Sequence, residues 1–92
     1  MVVKTYDTVI VGGGVIGLSL TRALLREGMS VAVIDARAAI APATNAAAGM
    51  LAPSFELGGE AGRLSEAVYH FGANSLSLWP DYAAELEDET GL

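Results

Sequence analysis

Gly12-Gly13-Gly14-Val15-Ile16-Gly17 stands directly between a β-branched run and an amphipathic stretch. This juxtaposition constrains the fold more than any other feature of the chain. The run before it, Thr8-Val9-Ile10-Val11, is continuous and apolar, the pattern of a strand buried on both faces as in a parallel sheet. After it, from Val15 to Glu27, the apolar residues Ile16, Leu20, Ala23 and Leu24 recur at helical spacing. Arg22, Arg26 and Glu27 take the opposite side. Gly28 is a natural helix stop, and Ser30 to Asp35 reads as a second buried strand closed by an acid. A strand, a helix and a strand within about 30 residues make a βαβ unit, whose crossover is almost always right-handed.

A G-x-G-x-x-G pattern alone says little, because glycine is common. Placed after a strand and opening a helix it acquires meaning. Gly12 permits the tight turn, Gly14 lets backbone approach a pyrophosphate, and Gly17 allows the helix to pack close to the strand. The N–H groups at the helix start, with the positive end of its dipole, then face phosphate. Asp35 at the end of the second strand suits ribose hydroxyls and repels a 2′-phosphate, which favours FAD or NAD over NADP. The competing reading, a glycine-rich turn beside an ordinary strand-end acid, must treat four features in register as coincidence. Arg37 has two readings of equal weight: a contact with adenine or phosphate, or a solvated loop charge.

From Ala36 to Ser54 the chain is rich in small residues, contains Pro42 and Pro53, and shows no amphipathic period. It reads as a long connection, and long ordered loops are usually functional. Within it, Thr44-Asn45-Ala46-Ala47-Ala48-Gly49-Met50-Leu51 has side chains small enough for backbone amides to approach a ligand. Thr44 and Asn45 are good N-caps, and a short Ala-rich helical turn is at least as good a reading on physical grounds alone. A helical pattern resumes after Gly59, with Leu64, Val68, Phe71, Leu76, Trp79, Tyr82 and Leu86 near one face. Pro80 is expected to kink or split that helix around Trp79.

Composition narrows the function classes. Ninety-two residues hold one small domain at most, and a chain of that size buries only about 60 % of its unfolded surface. A hydrophobic content of 52 % is high for that length, which suggests apolar faces made to meet further sequence. The net charge is −6, and the five basic residues form no stripe that could follow a nucleic acid, so no nucleic-acid partner is expected. With no cysteine and a single histidine, His70, disulfides and thiolate chemistry are excluded and no metal site is expected. The apolar stretch from Val9 to Leu20 is broken by glycines and too short for a span of about 20 residues. It also lacks signal-peptide features, so no membrane partner is expected and the cytoplasm is the default location.

The segments Tyr6 to Gly17, Asp35-Ala36-Arg37 and Thr44 to Pro53 resemble the start of the glycine oxidases. These are FAD-dependent enzymes of the D-amino-acid oxidase superfamily, linked to bacterial thiamine biosynthesis. The likeness runs along essentially the whole chain, through Leu86-Glu87-Asp88-Glu89-Thr90-Gly91. Its first motif is shared by many flavoproteins, whereas Ala47-Ala48-Gly49-Met50-Leu51 is more specific; related sarcosine oxidases differ there. Asn45 departs from the serine expected at its position. The resemblance implies FAD as cofactor, with Gly12, Gly14 and Gly17 shaping the turn and Val15 and Ile16 lining it at the pyrophosphate. It places Asp35 and Ala36 at the adenosine ribose, Ala43 and Thr44 on the phosphate side, and Ala48, Gly49 and Met50 beside the flavin. It also implies hydride transfer from the α-carbon of a small amine or amino acid to the flavin, with oxygen giving hydrogen peroxide. The residues that grip substrate in such enzymes have no counterpart between Met1 and Leu92, so no catalytic residue is assigned.

The expected fold is α/β: the N-terminal βαβ of a Rossmann-type FAD-binding domain, then a long loop and a Pro-kinked helix, an incomplete domain over residues 1–92. Two alternatives stand beside the oxidase reading: the NAD-binding start of a dehydrogenase, and a truncated, non-catalytic chain. The open strand edges and the apolar helix stripe lead to an expected homo-oligomer, and the chain alone is expected to turn over no substrate.

Overall fold

Four β-branched or apolar residues in succession, Thr8–Val11, form β1, and Val31–Ile34 form β2. The two strands pair in parallel with Thr8 opposite Val31 and Val11 opposite Ile34. Between them runs α1, Val15–Arg26. These elements come from a computed structural model that describes residues 1–37, 42–53 and 62–92. The chain divides into two units, Met1–Ala48 and Gly49–Leu92.

In the first unit, α1 ends on a Schellman motif. Gly28, at φ 79°, donates to the Leu25 carbonyl, and Met29 donates to that of Leu24. This left-handed position carries no Cβ penalty only in glycine, so Gly28 stops the helix as expected. The chain then enters β2 through a reciprocal clamp. Ser30 Oγ donates to Asp7 Oδ2 at 2.7 Å, Ser30 N–H donates to the same oxygen at 2.8 Å, and Asp7 N–H donates to Ser30 Oγ at 3.0 Å.

Packing corrects two expectations. β1 is not buried on both faces. Ile10 is 8 % exposed, whereas Val11, on the opposite face, is 84 % exposed and Val9 is exposed too. Successive strand residues alternate faces, and among the described residues only α1 covers this sheet, on the Ile10 side. The covered stripe of α1 also differs from the one expected: Gly17, Thr21 and Leu24 are half-buried, while Ile16 is 82 % exposed and Leu20 is exposed. The reason lies in close approach. A Cβ on Gly17 would strike the Gly12 carbonyl oxygen and come within 3.3 Å of Ile10 Cγ2, so the helix sits on β1 through its glycine rather than through its large side chains.

The stretch read as a long loop, with an Ala-rich helical turn from Thr44 as the other reading, contains a short helix, α2, Pro42–Ala46; residues 38–41 and 54–61 lie outside the described residues. In the second unit, α3 runs Gly62–Thr90 as one helix with Pro80 inside it. Pro80 therefore does not split it. The more covered residues of α3 include Tyr69, Gly72, Ala73, Tyr82, Ala83 and Leu86, whereas Phe71, expected on the apolar face, is 76 % exposed. The Leu64 side chain lies outside the described residues. Among the described residues, no helix is long and apolar enough to cross a membrane, and no cluster of three or more metal-ligating side chains occurs.

Candidate dinucleotide site

The site is built at the C-terminal ends of the two strands, where parallel sheets open toward ligands. The last rung of the ladder is Gly12 N–H donating to the Ile34 carbonyl at 2.8 Å. Gly12 then turns at φ 109°, a conformation that glycine adopts readily and other residues rarely do. Gly14 is the N-cap of α1 with extended backbone and no side-chain cap of its own. The first bond inside the helix is Leu18 N–H to the Gly14 carbonyl, at 2.9 Å. The donors of Ile16 and Gly17 precede it and belong to the unsatisfied helix end.

Two side chains far away in sequence reach this turn. Asp35 Oδ2 accepts Gly13 N–H at 2.6 Å, and its Oδ1 accepts Arg37 N–H at 2.9 Å. The Gly13 N–H, then the Arg37 N–H, and more weakly the Arg37 charge hold the Asp35 carboxyl below the ordinary carboxylate range, outweighing a small opposing effect of burial. From α2, Thr44 Oγ1 accepts Val15 N–H at 3.0 Å and so caps α1 from outside. Between these elements lies an open cavity of about 350 Å³ lined by Gly14, Val15, Ile16, Ala43, Thr44 and Ala47.

The structure thus gathers five expected site residues, Gly14, Val15, Ile16, Ala43 and Thr44, around one cavity. It also makes Gly12 the turn and Gly17 the point of helix–strand contact. Asp35 meets the turn directly. Ala36 and Arg37 follow it on the exposed stretch after β2, and Ala48 is the last residue of the first unit. Gly49, at φ 70°, and Met50 open the second unit. Sequence reasoning missed Gly13 and Ala47. Gly13 acts through its N–H, which has no side-chain signal. Ala47 follows α2 directly, and its small side chain carries no signal of its own.

A glycine turn between a parallel strand and a helix, with an acid closing the neighbouring strand, defines the dinucleotide-binding βαβ of a Rossmann-like domain. The chain belongs to the FAD-dependent oxidoreductase family (DAO), whose model matches residues 7–92, and FAD is that family's cofactor. Among curated relatives, it is 44 % identical over 88 residues to the bifunctional protein ThiO/ThiG of Trichormus variabilis, covering 96 % of this chain and 13 % of the relative. It is 33 % identical over 89 residues to glycine oxidase of Bacillus licheniformis, covering 97 % of this chain and 23 % of that enzyme. Glycine oxidase of Geobacillus kaustophilus is 34 % identical over 87 residues, covering 95 % of this chain and 22 % of the relative. The chain therefore spans less than a quarter of the length of these relatives. No solved structure gives a significant match.

Proposed function

We propose that this chain forms the ADP-binding part of the FAD site in a flavin-dependent oxidase of glycine or a related small amine. The observation that carries the reading is the cavity at the start of α1, walled by the glycine turn on one side and by Ala43, Thr44 and Ala47 on the other. It lies at the N-terminal end of α1, where helix-end amides suit a pyrophosphate, and Ala43, Thr44 and Ala47 leave room opposite. Gly12 and Gly17 hold the turn, Gly14, Val15 and Ile16 border the pyrophosphate, and Ala43 and Thr44 close its far side. Asp35 and Ala36 take the adenosine ribose, Arg37 lies toward the adenine, and Ala48, Gly49 and Met50 run beside the flavin. Bound FAD supplies the two-electron acceptor for amine oxidation, with oxygen as final acceptor and hydrogen peroxide as product. The residues of this chain bind and orient it, and none is assigned a catalytic step.

A role in thiamine biosynthesis, a cytoplasmic location and self-association through the open edges of β1 and β2 belong to the same proposal. So does the expectation that the 92 residues alone do not oxidise substrate, because holding an amine against the flavin needs a substrate-side wall and a cation for its carboxylate. A Gly14→Val substitution tests the site. A side chain there enters the path of the pyrophosphate, so fluorescence titration should show FAD binding abolished, and unchanged affinity would overturn the assignment. Preference for NAD over FAD in the same titration would favour a dehydrogenase instead. A peroxide-coupled assay with glycine, sarcosine and D-amino acids in excess FAD tests the inactivity of the chain.

A further inference from the structure

The Asp35 carboxylate does more than close β2. The strand ladder ends where Gly12 N–H meets the Ile34 carbonyl. The next donor along the turn, Gly13 N–H, is accepted by Asp35 Oδ2 at 2.6 Å. The carboxylate thus extends the ladder by one rung and ties the turn to the end of β2. Three consecutive glycines have unusually large conformational freedom when untethered, and a ligand that must order such a loop loses affinity to the entropy of doing so. Oδ1 is held in turn by Arg37 N–H at 2.9 Å, which fixes the carboxylate plane. A carboxylate has about four lone-pair sites, so two remain for ribose hydroxyls while the latch is closed. Gly13 matters to the latch by lacking a side chain, since a Cβ there would stand 3.3 Å from Asp35 Oδ2.

We propose that Asp35 is a positioning residue that holds the glycine turn in the shape a pyrophosphate requires, separately from any contact it makes with ribose. This rests on the reading of the site as a dinucleotide cradle. The two roles differ in their effect on a ligand that has phosphates and no ribose. Removing a negative charge beside an anion site raises affinity by electrostatics alone, whereas loosening the turn lowers it.

The test titrates the 92-residue chain with ADP and with inorganic pyrophosphate at fixed salt. In Asp35→Ala the pyrophosphate Kd rises roughly three- to tenfold, the scale of one lost hydrogen bond. Asp35→Asn, whose side-chain oxygen still accepts Gly13 N–H, recovers most of that loss. In the ligand-free chain, the Gly13 amide proton shifts as the Asp35 carboxyl titrates, and it exchanges faster in Asp35→Ala than in Asp35→Asn. Pyrophosphate binding that stays equal or tightens in Asp35→Ala, with the loss confined to ADP, overturns the positioning role and leaves the site assignment standing. A parent chain that binds neither ADP nor FAD overturns the site assignment. In that case a Gly13 amide indifferent to Asp35 overturns the latch as well, and one that follows it upholds the latch.

Discussion

The two units of this chain are both small and thinly covered, yet they are specified in different ways. In the first, single hydrogen bonds and glycines at fixed points dictate the path: the Asp7–Ser30 clamp, the Gly12 turn, the Gly13–Asp35 latch and the Schellman stop at Gly28. In the second, one long helix carries side chains at helical spacing. Leu51, Pro53, Gly72, Leu76 and Trp79 line an apolar groove of about 300 Å³, and Trp79 packs on Tyr82 with ring centres 5.7 Å apart. The first unit depends on positions where one atom more or less is decisive. The second depends on a pattern that tolerates the shift of any one member.

Gly17→Ala should show the largest effect. Its Cβ would meet the Gly12 carbonyl oxygen, which is backbone and fixed by the turn, so α1 must lift from β1. The expected loss is about 3 kcal/mol, the upper range for overpacking, read by urea denaturation and by hydrogen exchange at Ile10 and Ile34, whose amides face the partner strand. Protection at those amides equal to that of the parent would show that the first unit does not depend on this contact.

Pro80→Ala probes the second unit with the opposite sign. Pro80 sits inside α3 without an N–H to give the Leu76 carbonyl. Alanine restores that donor, so α3 should gain about 1–3 kcal/mol, seen as a higher melting temperature of the helical circular dichroism signal. A loss instead would mean that the proline ring is held by packing, and that the second unit also depends on a single position.

How much of this was legible in the sequence follows the same division. β1, α1, β2, the turn glycines and Asp35 could be placed because each demand left a residue type at a fixed offset. α2 was legible only in part: the Ala-rich turn read from Thr44 overlaps it, but Pro42–Ala46 offers only small apolar side chains, which set no clear period. The Thr44–Val15 bond was out of reach for another reason: it joins residues 29 apart through a hydroxyl that looks locally like an N-cap. The outer face of β1 was misjudged because a continuous apolar run reports the capacity to be covered on both sides, not the cover present. On α1, hydrophobicity pointed to Ile16 and Leu20, while the contact with β1 is made by a residue with no side chain. Phe71 failed for a similar reason, since its apolar character places it in the stripe and the more covered positions beside it are Gly72 and Ala73.

Acid sharpens the comparison with a smaller effect. The Asp7 carboxyl is held below the ordinary range by the Ser30 hydroxyl and then by the Ser30 N–H, and Asp35 is held low by Gly13 and Arg37. Depressed carboxyl groups contribute stability that is full above their unfolded pKa, about 4, and is lost as pH falls through the folded value. Amides at both ends of the strand pair should therefore lose protection below about pH 4, and Ser30→Ala should weaken the dependence at the Asp7 end alone. Equal acid sensitivity at both ends in that variant would remove the clamp from the account.

Gly72→Ala should have the smallest effect, and it is the counterpart of Gly17→Ala. Both glycines lie in helices, and at both a Cβ meets another atom closer than side chains normally approach: at Gly72 that atom is Pro53 Cβ, 2.8 Å away. The neighbours differ in kind. At Gly17 the obstacle is a carbonyl held in the turn of the strand ladder, whereas Pro53 lies on the connecting segment before α3, outside any regular ladder. A displacement of a few tenths of an ångström there breaks no backbone bond of a sheet. Alanine also favours the helix over glycine by about 1 kcal/mol, which offsets much of the cost of moving the proline. The net change in stability should stay within about 1 kcal/mol of the parent, measured under the same urea conditions as Gly17→Ala. A loss as large as that of Gly17→Ala would show that Pro53 is fixed as rigidly as the Gly12 turn. The second unit would then rest on a close contact rather than on its periodic face.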